Sequence, residues 1–296
     1  MIIKKLYDKK LINPPSFVLD NTHMLVRGGS VSYAISNDTS DEDLIGVCIP
    51  SKRILFPTSH SGVILGFGHQ GEKFDQYQKH HIEDKDEDKV YDLNVYNIVK
   101  YFELLRQGNP NLIETLFVHR KNVLFITPIG ELMREHRHKF LSKEMFVKLR
   151  AYSFSQLSKI EGKTAIGKRA DLVSKFGYDT KYGSHAVRLL LEAEQILLEG
   201  DLDLERNSQM LIGIRRGDWK LSDLKDFLTK KEIELEKILP SAKLPTKSNE
   251  GEIRQVLMKC LEAHYGSLEK EVVNESERNY LDALKKVKEV LNLVGI

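Results

Sequence analysis

Leu25-Val26-Arg27-Gly28-Gly29-Ser30-Val31-Ser32-Tyr33-Ala34, followed by Ser40-Asp41-Glu42-Asp43-Leu44-Ile45-Gly46-Val47, is the stretch around which the chain is organised. Met24 to Val26 is a short apolar run that ends in Gly-Gly-Ser, the pattern of a strand entering a tight turn. A helical segment follows, and Asn37-Asp38-Thr39-Ser40 breaks it. The next strand then opens with aspartates at i and i+2. Residues two apart on a strand point to the same face, so Asp41 and Asp43 project together and Glu42 lies opposite. Two such carboxylates repel unless a cation sits between them. Hard cations such as Mg²⁺ take oxygen ligands, commonly one or two carboxylates plus substrate phosphates. A glycine turn lets backbone amides approach closely, and exposed amides at a helix N-terminus bind phosphate. A Gly29-Ser30 cradle beside a carboxylate pair points to nucleotidyl transfer. Either half alone also suits an ordinary hairpin with surface aspartates.

Composition limits the alternatives. The chain has 296 residues, enough for one large or two ordinary domains, with 41% hydrophobic and 30% charged residues. A net charge of +2 excludes a uniformly basic nucleic-acid binder and leaves room for a local basic face. Cys48 and Cys260 are far apart, which suits small buried thiols in a reducing compartment. No apolar run approaches the ~20 residues of a membrane helix, and Met1-Ile2-Ile3-Lys4-Lys5 is charged too early for a signal peptide. The expectation is a cytoplasmic protein with no membrane segment.

The string Gly29-Ser30-x-Ser32-Tyr33, then Ser40-Asp41-x-Asp43-Leu44-x-Gly46-Val47, resembles the signature of the DNA polymerase beta-type nucleotidyltransferase superfamily. It is most similar to the branch that includes polymerase-like proteins associated with RNA-repair ligases. The resemblance implies that the Gly-Ser turn holds a triphosphate, that the aspartate pair binds two Mg²⁺ ions, and that a third carboxylate on a later strand completes the site. Two positions differ from the usual pattern. A glycine precedes the Gly-Ser, and Glu42 stands between the aspartates where an apolar residue is commoner. Glu42 therefore needs a partner or an open edge.

Residues 1 to 20 read as a lead-in with little regular structure, ending in an extended piece. His23–Val26 is the first strand and Asp41–Ile49 the second, ended by Pro50. The span from Ile54 to Gly71 reads as loops with one short strand, and Glu83–Lys89 as a solvated loop or hairpin tip. Val90 to Tyr96 alternates as a strand, with Val90, Asp92, Asn94 and Tyr96 on one face and Tyr91, Leu93 and Val95 on the other. Asp92 therefore stands where the resemblance places the third carboxylate, in preference to Asp75 and Glu83; Glu114 reads as a structural acid. Asn97 is a helix N-cap, Gly108 ends that helix, and Pro110 opens the next.

From Thr127 onward long periodic helices replace short strands. Helices are expected from Pro128, over Phe146–Ile160 and over Leu221–Ile238, with apolar stripes over Ile253–Leu261 and Leu281–Leu291. Gly162-Lys163-Thr164 is not a phosphate loop, because the required glycine five positions earlier is Leu157. Lys159, Lys163, Lys168, Arg169 and Lys175 form either a nucleic-acid-facing patch or a solvated face. Ala186, Leu189, Leu190, Ala193, Ile196 and Leu197 mark a core-facing helix, with His185, Arg188 and Glu192 on a flanking face and Lys181 one turn earlier. Such a row offers donors to polyphosphate or an RNA backbone; the other reading is a buried His185 with Arg188 paired to Glu192. The resemblance extends to Lys181-x-x-x-His185-x-x-Arg188-Leu189 and implies contact with nucleotide phosphates or the acceptor strand. Arg215 and Arg216 read equally as substrate-reaching or structural, and Trp219 as packing.

The expected architecture is α+β, a mixed β-sheet nucleotidyltransferase domain over residues 1–126 followed by an all-helical substrate domain over 127–296. Asp41 and Asp43 bind Mg²⁺, with Mn²⁺ as a substitute. Asp92 binds the second ion and draws the proton from an attacking hydroxyl. Gly29, Ser30, Ser32, Lys181, His185 and Arg188 contact the nucleotide. The substrate is an NTP, with ATP or CTP preferred. The acceptor is an RNA 3′ end of tRNA type, and a ligase is the expected partner. A protein or small-molecule acceptor and a non-catalytic binding module are the rival expectations.

Overall fold

The computed structural model describes residues 1–36, 41–55, 58–59, 62–63, 74–162 and 167–266. The expected break at Asn37–Ser40, most of the loop span up to Gly71, Lys163 and the Leu281–Leu291 stripe lie outside these residues. The first half contains α1 (Ile2–Asp8), α2 (Ser16–Asp20), β1 (Thr22–Arg27), α3 (Gly29–Ser32), β2 (Glu42–Cys48), α4 (Lys52–Leu55), β3 (Thr58–Ser59), β4 (Gly62–Val63), β5 (Gln76–Asp84), β6 (Lys89–Asn97), α5 (Ile98–Arg106), α6 (Pro110–Phe117) and β7 (Val123–Ile126). Helices follow: α7 (Pro128–Glu135), α8 (Glu144–Gly162), α9 (Lys168–Phe176), α10 (Thr180–Glu199), α11 (Ser208–Arg216), α12 (Leu221–Ile238) and α13 (Glu250–Tyr265). None is long and apolar enough to cross a membrane.

The main sheet has the order β5-β6-β2-β1-β7. The β2–β6 pair is parallel and the other pairs are antiparallel, so the sheet is mixed. Each face has its own apolar layer. Leu25, Leu44, Cys48, Tyr91, Leu93 and Val95 point to one side, and Met24, Val26 and Val47 to the other. Residues 1–20 close the first layer as two short helices, a correction to the irregular lead-in expected from the sequence. Ile3 and Leu6, one helical turn apart, are fully buried in that layer with Ile12 and Val18. Pro14-Pro15 falls between the two helices and interrupts neither.

The opposite layer is continuous with the helical half. Met24 and Val47 belong to the same core as Phe102, Phe140, Leu189 and Leu228. The sheet is complete at Ile126, and one core crosses that point. Capping follows the sequence: the Asn97 side chain accepts from the Val99 amide at 2.9 Å, Pro110 occupies the first turn of α6, and Gly200 closes α10 in the left-handed region. Cys48 and Cys260 are both free and buried.

Candidate active site

The site forms where β1 ends, β2 begins and β6 passes alongside. The Gly28 amide donates to the Asp43 carbonyl at 2.8 Å, which ties the turn after β1 to the start of β2. Gly29 follows with φ +55 and opens the single turn of α3. A Cβ on Gly29 would lie 2.7 Å from Asp43 Cγ and overlap its carboxylate. Only glycine therefore leaves room for Asp43 to lean over the turn. In the parallel β2–β6 pair, Asp43 stands directly opposite Asp92. Asp41 is exposed just ahead of β2 and adds its negative charge at Asp43. Burial, then the Asp92 charge, push the Asp43 carboxyl above its usual range; Lys181 and His80 pull the other way.

Glu42 points to the opposite face, where the sequence demanded a partner. Arg27 supplies one at 3.2 Å and Lys89 another at 2.5 Å. Burial pushes the Glu42 carboxyl up, but these hydrogen bonds prevail and hold it below its usual range.

A cavity of about 320 Å³ opens above the carboxylates. Gly28, Gly29, Asp43, Asp92, His185 and Arg188 are among its lining residues, with His80, Asn94, Tyr96, Asn111 and Tyr152. That volume sits at the lower end of the ~300–1,000 Å³ range of small-ligand pockets. Ser32 also borders the cavity, but its hydroxyl donates to the Gly29 carbonyl at 2.8 Å and so stiffens the turn. Ser30 is half-buried in α3 and is not part of the lining.

The helical half contributes a basic group. Asp179 caps α10 by accepting from the Lys181 and Tyr182 amides at 3.0 and 3.1 Å, and it holds Arg169 at 2.8 Å. Arg169 stacks on the Tyr182 ring at 3.9 Å, with Lys159 over the same ring at 5.5 Å. Lys181 is exposed and acts electrostatically on Asp43. Burial, then the charges of Arg215, Lys181, Arg169 and Lys159, push the His185 imidazole down to about 4. His185 is therefore a neutral ring facing the cavity amid fixed positive charge. Of the remaining basic residues singled out in the sequence, Lys175 lies over Phe176, and nothing is described of Lys163 or of the Lys168 side chain.

Arg188 lies in the cavity wall, yet its guanidinium is held by Glu114 at 3.1 Å and Glu192 at 3.4 Å and stacks on Tyr33 at 4.1 Å. Tyr33 in turn donates its hydroxyl to Glu114. Burial, then the Glu192 charge, push the Glu114 carboxyl well above its usual range. Arg215 donates to the Ile35 carbonyl at 3.0 Å, a structural role. The segment after the glycine turn is thus anchored to α6, α10 and α11.

Sequence reasoning missed His80, Asn111 and Tyr152. Asn94 and Tyr96 had a usable signal, since they share the Asp92 face of β6. His80 had no signal in the sequence because β5 is mostly exposed and carries no apolar alternation, and a bulge follows it. Lys79 pairs with Leu93 and Ile82 with Tyr91, so His80 and His81 together oppose Asp92. His81 takes φ +52; its amide donates to Asp92 at 2.7 Å, and His80 lies 3.4 Å from the other Asp92 oxygen.

The donor set fits a hard divalent cation: two facing carboxylates with a third nearby, one of them raised by burial and by the charge of its neighbour. Among the described residues no three His, Cys, Asp or Glu side chains converge closely enough to hold an ion unaided. Substrate phosphates would complete its shell, as is usual for Mg²⁺.

A family model described as the RNA repair pathway DNA polymerase beta family matches residues 22–284. A search of curated proteins returns no match. Among solved structures, a nucleotidyltransferase-like protein from Exiguobacterium sibiricum 255-15 is similar at 11% identity, over 99% of this chain and 90% of that one, with a TM-score of 0.28. The family match covers the glycine turn, both strands of carboxylates and the helical half. The chain is a member of the RNA repair pathway DNA polymerase beta family.

Proposed function

We propose that this protein is a metal-dependent nucleotidyltransferase that adds a nucleoside monophosphate to the 3′ hydroxyl of an RNA. The observation that carries the reading is the direct opposition of Asp43 and Asp92 beside the Gly29 turn, in one cavity that His185 and Arg188 of α10 also line. Asp41, Asp43 and Asp92 would hold Mg²⁺ or Mn²⁺. When bound, the ion neutralises charge on the reacting phosphate and the departing pyrophosphate. The Gly29 amide, at the cavity edge, would bind the triphosphate. Lys181 brings fixed positive charge to the phosphates, and neutral His185 offers them an N–H. Asp92 accepts the proton of the attacking hydroxyl. The new bond joins that oxygen to the α-phosphorus of the NTP, and the bond to pyrophosphate breaks.

Arg188 keeps the turn in place through Tyr33 and Glu114 while facing the same cavity. ATP or CTP is the proposed donor, and an RNA-repair ligase acting on the same ends is the proposed partner. The family description supports RNA over a protein or small-molecule acceptor. The test supplies each α-labelled NTP with Mg²⁺ or Mn²⁺ to the protein with tRNA, short RNA, or no RNA. Label on RNA with equimolar pyrophosphate is expected. Label on the protein itself, or pyrophosphate without labelled RNA, would overturn the RNA acceptor.

A further inference from the structure

The active-site face of the sheet does not stop at β6. Gln78 pairs with Asn94 and Gln76 with Tyr96, and cross-strand partners share a face. Gln76, Gln78 and His80 therefore continue the Asp92–Asn94–Tyr96 face onto β5, the edge strand. All three are exposed. Gln76 donates to Gln78 at 2.9 Å, Gln78 contacts His80, and His80 reaches Asp92. A hydrogen-bonded polar row thus runs from the sheet edge to the carboxylate assigned to proton removal.

We infer that the Gln76–Gln78–His80 row is the track along which the 3′ end of a single-stranded RNA acceptor reaches Asp92. The inference rests on the nucleotidyl-transfer reading and adds the acceptor's route to it. The chemistry of the row selects the ligand. Amides and an imidazole offer donors and acceptors together, which suits sugar hydroxyls and unpaired base edges. The charged and aromatic residues of the same strand segment point away: Lys79 donates to the Leu11 carbonyl and Tyr77 accepts from the Asn13 amide. The row thus lacks the aromatic or arginine anchors that dominate protein interfaces. Phosphates of the same strand find positive charge at Lys181, which is near enough to act on Asp43.

The bulge supports a built feature. Bulges re-aim side chains beside active sites, and His81 accepts a left-handed backbone here that few residues other than glycine adopt. The extra residue turns the His81 amide onto Asp92 and returns Ile82 to the buried face opposite Tyr91.

The test uses the full chain, a short single-stranded RNA and a labelled NTP. The Gln76→Ala/Gln78→Ala variant should raise KM for RNA roughly tenfold or more, with KM for NTP held and kcat far less affected. His80→Ala should also raise KM for RNA, with a fall in kcat as well because His80 touches Asp92, and His80→Gln should recover part of the KM loss. An unchanged RNA KM, or an equal rise in NTP KM, overturns the track. A second arm is independent of turnover: hydrogen exchange of residues 76–81 with an RNA ending in a 3′-deoxynucleotide. Protection of β5 supports the track. RNA that binds without protecting β5, or that does not bind at all, overturns it. Failure of wild-type transfer together with β5 protection would instead implicate the catalytic reading.

Discussion

Gly29→Ala separates the cost of backbone strain from the cost of displacing Asp43. Two effects act at this position. The left-handed φ of +55 penalises any L-residue with a Cβ by ~1–2 kcal/mol, partly offset by lower unfolded-state entropy. The new Cβ also overlaps the Asp43 carboxylate and sits 2.7 Å from its Cγ, so Asp43 must rotate out of register with Asp92. A net loss of about 1 kcal/mol corresponds to a Tm fall of a few degrees for a chain of this size. Misplacing a reacting group by about 1 Å costs about 10²-fold in rate, equal to ~2.7 kcal/mol of barrier. The assay is single-turnover transfer of label to RNA beside thermal unfolding. Gly177→Ala is the control, with φ +80 and nothing within 4 Å of the added Cβ; it should lose similar stability and keep its rate. Gly28→Ala meets only the movable tip of Ile45 at 2.9 Å and should be nearly silent. A Gly29→Ala enzyme with wild-type rate would refute the argument that Asp43 needs that space.

Other consequences follow from the ionisable groups. Mn²⁺ affinity should rise with pH through a range above 3.8, because a proton competes for the raised Asp43 carboxyl; titration calorimetry should show this slope vanish in Asp43→Asn. The His185 imidazole should titrate near 4 in the free protein and higher with a triphosphate bound, because the anion offsets Arg215 and Lys181; NMR of the ring protons reads this directly. His23 is likewise depressed to about 4 by burial and by His264, so the folded state binds fewer protons than the unfolded chain between pH 6.5 and 4. Stability should therefore be intact above 6.5 and fall as pH drops through that window, as denaturant titrations at several pH values would show. Arg188→Met leaves Glu114 and Glu192 without their cation and should cost about 3–5 kcal/mol by chemical denaturation. Little change would mean that Arg188 serves the ligand alone.

The glycine turn and the carboxylate strands were legible because their signals are local. Period-2 alternation put Asp92 with Asn94 and Tyr96 in β6, whereas Asp41, expected to open the second strand, lies just ahead of β2 and is not part of the cavity lining. Caps at Asn97, Pro110 and Gly200 announced the helix ends, and α12 runs over the expected Leu221–Ile238. What stayed hidden depends on distant partners. The Arg188–Glu114 contact joins residues 74 apart in sequence, so helical spacing revealed only the Glu192 half of the network. Strand β5 is an edge strand with mostly exposed side chains and no apolar alternation, so neither it nor its bulge had a pattern to read. The N-terminal helices are short, and their apolar residues make sense only once the sheet face they cover exists. Glu42 is the instructive exception to the family pattern. Its charge looked misplaced until Arg27 and Lys89 met it at the sheet surface.

The central claim is that Asp43 and Asp92 together make a nucleotidyl-transfer centre. Its most direct test is single-turnover incorporation of an α-labelled NTP into single-stranded RNA by wild type, Asp43→Asn and Asp92→Asn, each checked for native folding. The account predicts label on the RNA 3′ end with wild type and loss of at least ~10²-fold in either variant. Equal incorporation by the folded Asp43→Asn and Asp92→Asn proteins would contradict it.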